Sequence, residues 1–340
     1  MKERLSALMA SSSLERYTGQ PLAQAESWAN LSEEDLRRRA MVAANARDAE
    51  ELWELTQAYL FLHGTKGGKG SQGTIAVYKR CILELIEHWQ RENLLRPSRD
   101  AGVLYVRRLE TAPNPRTGKP LNASTIEVKL AAARTLYKAL RWAKATEANP
   151  FENVSPAPDS TPDWEKRKPY SVDDVDKLLE QADPVMAVIV LMGAHGGLRI
   201  SEMCSLKWSD INWTRGSLTV VGKGNKKASV TMSGRLEEAL KHLREQPGDE
   251  RKRFKRDPLH ILPWNTERTR QRFRAFCNSV GVSYDEKAVH GLRHGAGTRY
   301  YAQTKDLGRV ASHLRHENIQ TTRIYAKLAD EAIKDDLKDW

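Results

Sequence analysis

The chain is poor in cysteine: three in 340 residues, Cys81, Cys204 and Cys277, far apart and in no CxxC pair. That excludes a disulfide framework and a cysteine zinc site, and it fits a reducing compartment. Long apolar runs are missing too. The longest, Val185 to Ala194, is about half of what a bilayer-crossing helix needs, and no signal-peptide core follows Lys2-Glu3-Arg4. A soluble, cytoplasmic protein without a membrane partner is expected. Glycines at 64, 67, 68, 70 and 73 invite a nucleotide-binding reading, but a P-loop needs glycine five residues before its Gly-Lys pair, and His63 stands five before Gly68. The segment reads as a basic hinge between helices. Neither an internal repeat nor a low-complexity segment is found.

What the chain does have is positive charge: 55 Lys and Arg against 44 Asp and Glu, net +11, with a pI near 9.5. Such a balance favours a polyanionic partner. The charge is unevenly placed. Residues 1–50 carry seven basic and eight acidic side chains and read as a helical N-terminal extension, with a helix start at Leu31-Ser32-Glu33-Glu34-Asp35-Leu36. Residues 64–150 hold sixteen basic and seven acidic side chains, a net of +9. Helical periodicity runs there through Ile75, Tyr78, Ile82, Leu85, Ile86 and Trp89, and again through Ile126, Leu130, Ala133, Leu136, Tyr137 and Leu140, with a shorter helix at Ala101–Leu109 between them. Residues 51–150 thus form a helical domain, with either a solvated basic surface or a saddle for a nucleic-acid backbone.

Pro156, Pro158 and Pro162 mark a linker at 151–169, and a second domain is expected over 170–340. It opens with a helix cap at Tyr170-Ser171-Val172-Asp173-Asp174. A buried helix at Val185–Met192 and a helix from about Ser201 follow. Two β-prone runs, 217–221 and 228–232, join through Gly222-Lys223-Gly224-Asn225-Lys226-Lys227 as a hairpin, and helices return after Arg235. The fold class is mainly α with a small antiparallel β-sheet.

Moving a phosphodiester without a metal takes cationic donors for the non-bridging oxygens, a nucleophile, and an acid for the leaving oxygen. The second domain offers each. Arg199 opens Arg199-Ile200-Ser201-Glu202; Lys223 sits 24 residues on; His290-Gly291-Leu292-Arg293-His294 follows; His316 stands nine residues before Tyr325. Each has a plainer reading when taken singly. Tyr325 could be an amphipathic core residue, Arg199 a structural bridge to Glu202, and Lys223 a solvated hairpin lysine beside Lys226 and Lys227. His290 with His294, or His313 with His316, could be zinc pairs, but Gly291 stands where HExxH chemistry needs glutamate, and nearby arginines repel a divalent cation. No metal or cofactor is expected. A carboxylate cluster for a metal-dependent nuclease is missing near these motifs, as is the His-hydrophobe-His of a relaxase.

In order and spacing the set resembles the tyrosine recombinase, or phage integrase, family. The matching blocks are Gly-Leu-Arg-Ile-Ser-Glu at 197–202, Gly-Lys-Gly-Asn-Lys at 222–226, His-x-Leu-Arg-His at 290–294, and His316 with Thr-Thr-x-x-Tyr-Ala at 321–326. The basic helical block resembles the family's core-binding domain more loosely. The resemblance implies a two-domain, C-shaped clamp on double-stranded DNA, with Arg199, Lys223, His290, Arg293, His316 and Tyr325 as the catalytic set. Tyr325 would attack the scissile phosphate to give a 3′-phosphotyrosyl link. His290 would accept its proton, Arg199, Arg293 and His316 would hold the phosphorane oxygens, Lys223 would protonate the leaving 5′-oxygen, and Glu202 would orient a neighbour. A type IB topoisomerase or a non-catalytic architectural protein are the alternatives. Two positions depart from the family: Arg315, where glycine is usual, and Gly295, where threonine is common. Both should bear on local packing or DNA contact more than on chemistry. After the nucleophile, Ala329, Ile333, Leu337 and Trp340 form one apolar helical stripe, which the resemblance suggests docks on a neighbouring protomer in a tetramer on DNA.

Overall fold

Ser32, Asp48, Ser71 and Asn122 each turn a side-chain oxygen onto a backbone N–H three residues ahead, which satisfies an otherwise orphaned donor and starts a helix. The computed structural model describes residues 21–65, 67, 70–114, 117–159, 161–162, 168–222, 226–245, 259–285, 287–316, 322 and 324–326. Its first unit, within residues 1–160, holds α1 (Pro21–Ala29), α2 (Glu33–Ala46), α3 (Ala49–His63), α4 (Gln72–His88), α5 (Ala101–Thr111) and α6 (Ala123–Trp142). The three helices expected from periodicity are α4, α5 and α6. Their apolar stripes, Ile82 and Leu85 on α4 and Leu130, Leu136 and Leu140 on α6, are buried in one core. Each such side chain contributes roughly 1.5–3 kcal/mol.

Two boundaries differ from the compositional reading. The part of the N-terminal extension described here is built into this core through Ala25, Trp28, Ala40, Ala43 and Ala44. Arg39 lies 3.8 Å over the Trp28 ring and pairs with Glu51 at 2.5 Å. A small-residue face and one tryptophan decided the packing, and the charge count was blind to both. At the other end, Phe151 and Val154, placed in the linker by its prolines, are buried with the helices. Phe151 stacks on Trp89 at 5.2 Å, and Arg134 donates to both the Phe151 and Val154 carbonyls.

The second unit, within residues 161–340, begins where Ser171 and Asp174 exchange hydrogen bonds of 3.0 Å in a capping box. It contains α7 (Val172–Glu180), α8 (Pro184–Ala194), α9 (Ile200–Ser205), a sheet of β1 (Ile211–Asn212), β2 (Ser217–Val221) and β3 (Lys227–Thr231), then α10 (Gly234–Glu245), α11 (Thr266–Val280), α12 (His290–Thr304) and α13 (Leu307–Leu314). The expected hairpin is β2 with β3, antiparallel, Leu218 opposite Val230 and Val220 opposite Ala228. Leu218 and Val220 alternate inward onto the core that surrounds the wholly apolar α8. Strand β1, two residues long, is too short to leave a periodic signal. All three cysteines are buried: Cys81 on α4, Cys204 within 3.3 Å of the Thr269 hydroxyl, and Cys277 within 3.6 Å of the Tyr170 hydroxyl. Among the described residues no helix is long and apolar enough to cross a membrane.

Candidate active site

The site grows from the turn after α8. Gly197 has φ +58°, a left-handed state natural to glycine, and a Cβ there would lie 2.5 Å from the Leu314 side chain. The reversal places Arg199 at the start of α9 and aims Glu202 back at it. Glu202 is 3% exposed and accepts from the Arg199 backbone N–H and from Arg199 Nη1, both at 2.8 Å. This is the bridge to Glu202 that the sequence offered as the plainer reading of Arg199, whose side chain is 41% exposed. Burial pushes the Glu202 carboxyl up, but the Arg199 N–H, the Arg315 charge and the Arg199 side chain outweigh it and hold the group below its ordinary range.

Helix α12 brings Arg293 against the same turn. Its guanidinium, 1% exposed, donates to the Gly197 and Leu314 carbonyls. Burial, then the Arg199 and Arg315 charges, push its pKa down. A guanidinium starts so high that it remains a cation at neutral pH. His290, the first residue of α12, sets its ring edge-on to His294 with centroids 4.8 Å apart, and His294 lies 6.0 Å from the Tyr325 ring.

His316 follows α13, and its Nδ1 meets the buried Thr322 hydroxyl at 3.0 Å. Burial and then Arg293, Arg199, His294 and Arg315 push it down to about 4, so the ring is neutral at pH 7. A neutral ring that takes the Thr322 proton at Nδ1 presents Nε2–H as a donor. Tyr325 stacks beside His316, centroids 6.3 Å apart and planes 18° from parallel. It is 1% exposed, packed with Ala296, Val310 and Leu314. The fit depends on Gly297, where a Cβ would lie 2.5 Å from Tyr325 Cζ. Burial pushes the phenol up to about 12 against the pull of Arg293 and Arg199.

Of the six residues singled out in the sequence, Arg199, Arg293, His316 and Tyr325 thus meet around one turn, and His290 reaches the group through His294. Lys223 lies outside the described residues, as do Ala329, Ile333, Leu337 and Trp340. The start of the loop that joins β2 to β3 is close by: a Cβ on Gly222 would stand 4.0 Å from Glu202 Oε1. Among the described residues no cluster of three or more His, Cys, Asp or Glu is placed to hold a metal. Two contributors escaped the sequence reading. Thr322 was visible only as part of a motif block. Arg315, set aside as a packing or DNA-contact position, puts its guanidinium 3.0 Å from Glu202 Oε2. Gly295 is a matter of packing, since a Cβ there would lie 2.8 Å from the Tyr170 carbonyl oxygen.

Comparison with known proteins bears on this arrangement as a whole. Residues 171–332 match the Phage integrase family model and residues 59–144 match the Phage integrase N-terminal SAM-like domain. The tyrosine recombinase XerC of Vibrio vulnificus is 31% identical over 297 residues, covering 83% of this chain and 88% of that protein. XerC of Vibrio parahaemolyticus is 31% identical over 291 residues, covering 81% and 88%. In fold, the chain is similar to the XerH site-specific recombinase solved in a post-cleavage complex with a palindromic difH substrate, with a TM-score of 0.63, 16% identity and 93% of each chain covered. It is also similar to a lambda integrase dimer bound to a core site, with a TM-score of 0.58, 16% identity, and 80% of this chain and 75% of that one covered. The chain belongs to the tyrosine recombinase family and is a site-specific DNA recombinase.

Proposed function

We propose that Tyr325 is the nucleophile of this recombinase and that Arg199, Lys223, His290, Arg293 and His316 complete its catalytic set. The observation that carries this is the meeting of two arginines, a neutral histidine and a buried tyrosine around the Gly197 turn. Tyr325 Oη attacks the scissile phosphorus, the bond to the 5′-oxygen breaks, and a 3′-phosphotyrosyl ester remains. His290 takes the phenolic proton, because a phenol held near 12 attacks only as its proton leaves. Arg199, Arg293 and His316 Nε2–H donate to the non-bridging oxygens, whose charge grows in the transition state. Lys223 gives a proton to the departing 5′-oxygen. The 5′-hydroxyl of a second duplex reverses the step, so the phosphoester energy is conserved. The helical unit, whose core runs from Ala25 to Val154, forms the core-binding domain that holds duplex DNA through its backbone, and residues 170–340 form the catalytic domain. Exchange between two duplexes calls for four protomers, assembled through the tail stripe that ends in Trp340. The protein works in the cytoplasm, where its DNA is.

The test is a nicked suicide substrate with EDTA present. Wild-type protein should trap a covalent adduct, and Tyr325→Phe should bind the same DNA and trap none. An adduct in the variant would move the nucleophile elsewhere, and a strict requirement for Mg²⁺ in the cutting step would replace the mechanism.

A further inference from the structure

Arg315 is a strongly held side chain at the site to which the chemistry above gives no task. It closes α13 with φ +56°, a backbone state that suits glycine and strains a residue with a side chain. Its guanidinium is nonetheless turned inward, with the side chain 11% exposed. Nη2 donates to the Gly197 carbonyl at 2.9 Å and to Glu202 Oε2 at 3.0 Å. Nη1 donates to the His313 carbonyl at 3.0 Å and, at 3.4 Å, to that of Gly196. Nε is buried and has no hydrogen-bond partner among the described residues. A strained backbone and a buried cation are both costly, and glycine at 315 would avoid both.

The groups that Arg315 holds are shared ones. Glu202 takes Arg199 through Oε1 and the Arg199 N–H through Oε2, and Oε2 also takes Arg315. The Gly197 carbonyl takes Arg293 and Arg315 together. Arg315 therefore touches the anchor of each guanidinium assigned to the phosphate. The charge balance points the same way. Arg199 and Glu202 alone sum to zero, and an unshared Glu202 Oε2 is open to a second donor from the Arg199 guanidinium. With Arg315 behind the carboxylate, the trio keeps one net positive charge and Glu202 Oε2 is already occupied.

We propose that Arg315 is a positioning residue for strand cleavage: by tying the Glu202 carboxylate to the Gly197 carbonyl, it fixes the spacing of Arg199 and Arg293 and keeps Arg199 turned toward the scissile phosphate. The proposal rests on the assignment of those two arginines to the phosphate. It differs from a DNA contact, since the side chain is covered, and from general acid or base chemistry, since a guanidinium is a poor proton donor at neutral pH.

The test compares wild type, Arg315→Gly and Arg315→Lys in single-turnover cleavage of a suicide substrate, with either a normal scissile phosphate or a methylphosphonate whose non-bridging position is neutral. Glycine suits the backbone at 315, so Arg315→Gly should melt at or above the wild-type temperature. Its covalent adduct at Tyr325 should form roughly 10²-fold more slowly, the order of loss expected when a reacting geometry slackens by about an ångström. Site affinity and its salt dependence should stay within about twofold, because no phosphate contact is lost. On the methylphosphonate the deficit should shrink below about 10-fold, since less charge then needs the guanidiniums. Lysine keeps the charge but reaches one acceptor at a time, so it should recover only part of the rate. A wild-type rate in Arg315→Gly overturns the proposal. So does an equal deficit on both phosphates, which means a merely structural role, or a shallower salt dependence, which means a direct DNA contact. If Arg315→Gly fails to fold, the two substrates are compared with Arg315→Lys, and equal deficits there overturn the proposal as well. Absence of any adduct at Tyr325 in the wild type sinks the assignment of the site itself and this inference with it, whereas a normal wild-type adduct with an unaffected Arg315→Gly sinks this inference alone.

Discussion

In the helical unit the most open ion pairs stand in water: Arg99 with Asp100 are 92% and 57% exposed, and Lys144 with Glu33 are 58% and 71% exposed, while Arg39 with Glu51 and Lys129 with Glu84 are partly covered. In the catalytic unit Glu202 with Arg315 are 3% and 11% exposed, and Arg293 is buried beside them. Pairs of the first kind contribute roughly 0–1 kcal/mol each and are individually replaceable. A charge of the second kind is satisfied by a few fixed partners, and removing the carboxylate that Arg199 and Arg315 share strands both cations. The difference separates two uses of the same residue types. A backbone-binding surface sums many weak, salt-sensitive contacts, while a phosphate-activating site depends on a few charges fixed against each other before the substrate arrives.

The sharpest way to break this comparison is Glu202→Ala. It leaves Arg199 and Arg315 without their shared carboxylate, so a loss of about 3–5 kcal/mol in unfolding free energy is expected, together with failure to cleave. Denaturant melts and adduct assays check both, and a near-neutral outcome would place Glu202 among the replaceable surface charges. Next is Gly297→Ala, whose added methyl meets Tyr325 Cζ. An overpacking cost of about 1–3 kcal/mol should appear, with an altered cleavage rate as the tyrosine is pushed from its place. An unchanged melt and rate would mean that the wall yields freely. Smaller again is a pH effect. His316 is held at about 4, below the 6.5 of a free imidazole, so the unfolded chain binds the extra proton first. Its contribution to stability is complete above about pH 6.5 and is lost as pH falls toward 4. His316→Gln should therefore flatten the decline in melting temperature between pH 7 and 5, and equal slopes in the two proteins would discount the burial of the ring. The smallest effect should come from the helical unit. Lys138 is exposed on α6, and Lys138→Ala should weaken DNA binding severalfold and lower the salt slope by about one. A loss as large as that of a buried charge would erase the distinction between the units.

How much of this could be read beforehand follows the same division. Ser32 and Ser171 cap the helices that the sequence places after them, the stripes of α4 and α6 are buried as their spacing requires, and the hairpin has the expected strands. Those features are local, set by caps three residues apart, stripes of helical period and two strands that follow one another in the chain, so they are written in the sequence. The meeting of Arg199, Arg293, His316 and Tyr325 is not local. It was legible only because four spaced blocks resemble a known family. The role of Arg315 was hidden for a related reason. Its position departs from that family, and its partners lie 113 and 118 residues away. Membership of Trp28 and Phe151 in the helical core escaped for want of a pattern, since each is a single large side chain in a segment whose composition reads as something else.

The buried cysteines have a practical meaning for watching the protein at work. Cys81 and Cys277 are pushed up by burial, Cys277 to about 11, and Cys204 is covered, so at pH 7 little of the reactive thiolate faces solvent. A maleimide dye should therefore spare the native thiols and couple to cysteines introduced at open positions such as Val42 on α2 and Val172 at the start of α7, 62% and 54% exposed. One fluorophore on each unit then turns the molecule into its own distance gauge, able to report by energy transfer whether the two halves change separation when a recombination site is engaged, with no native side chain removed from either core.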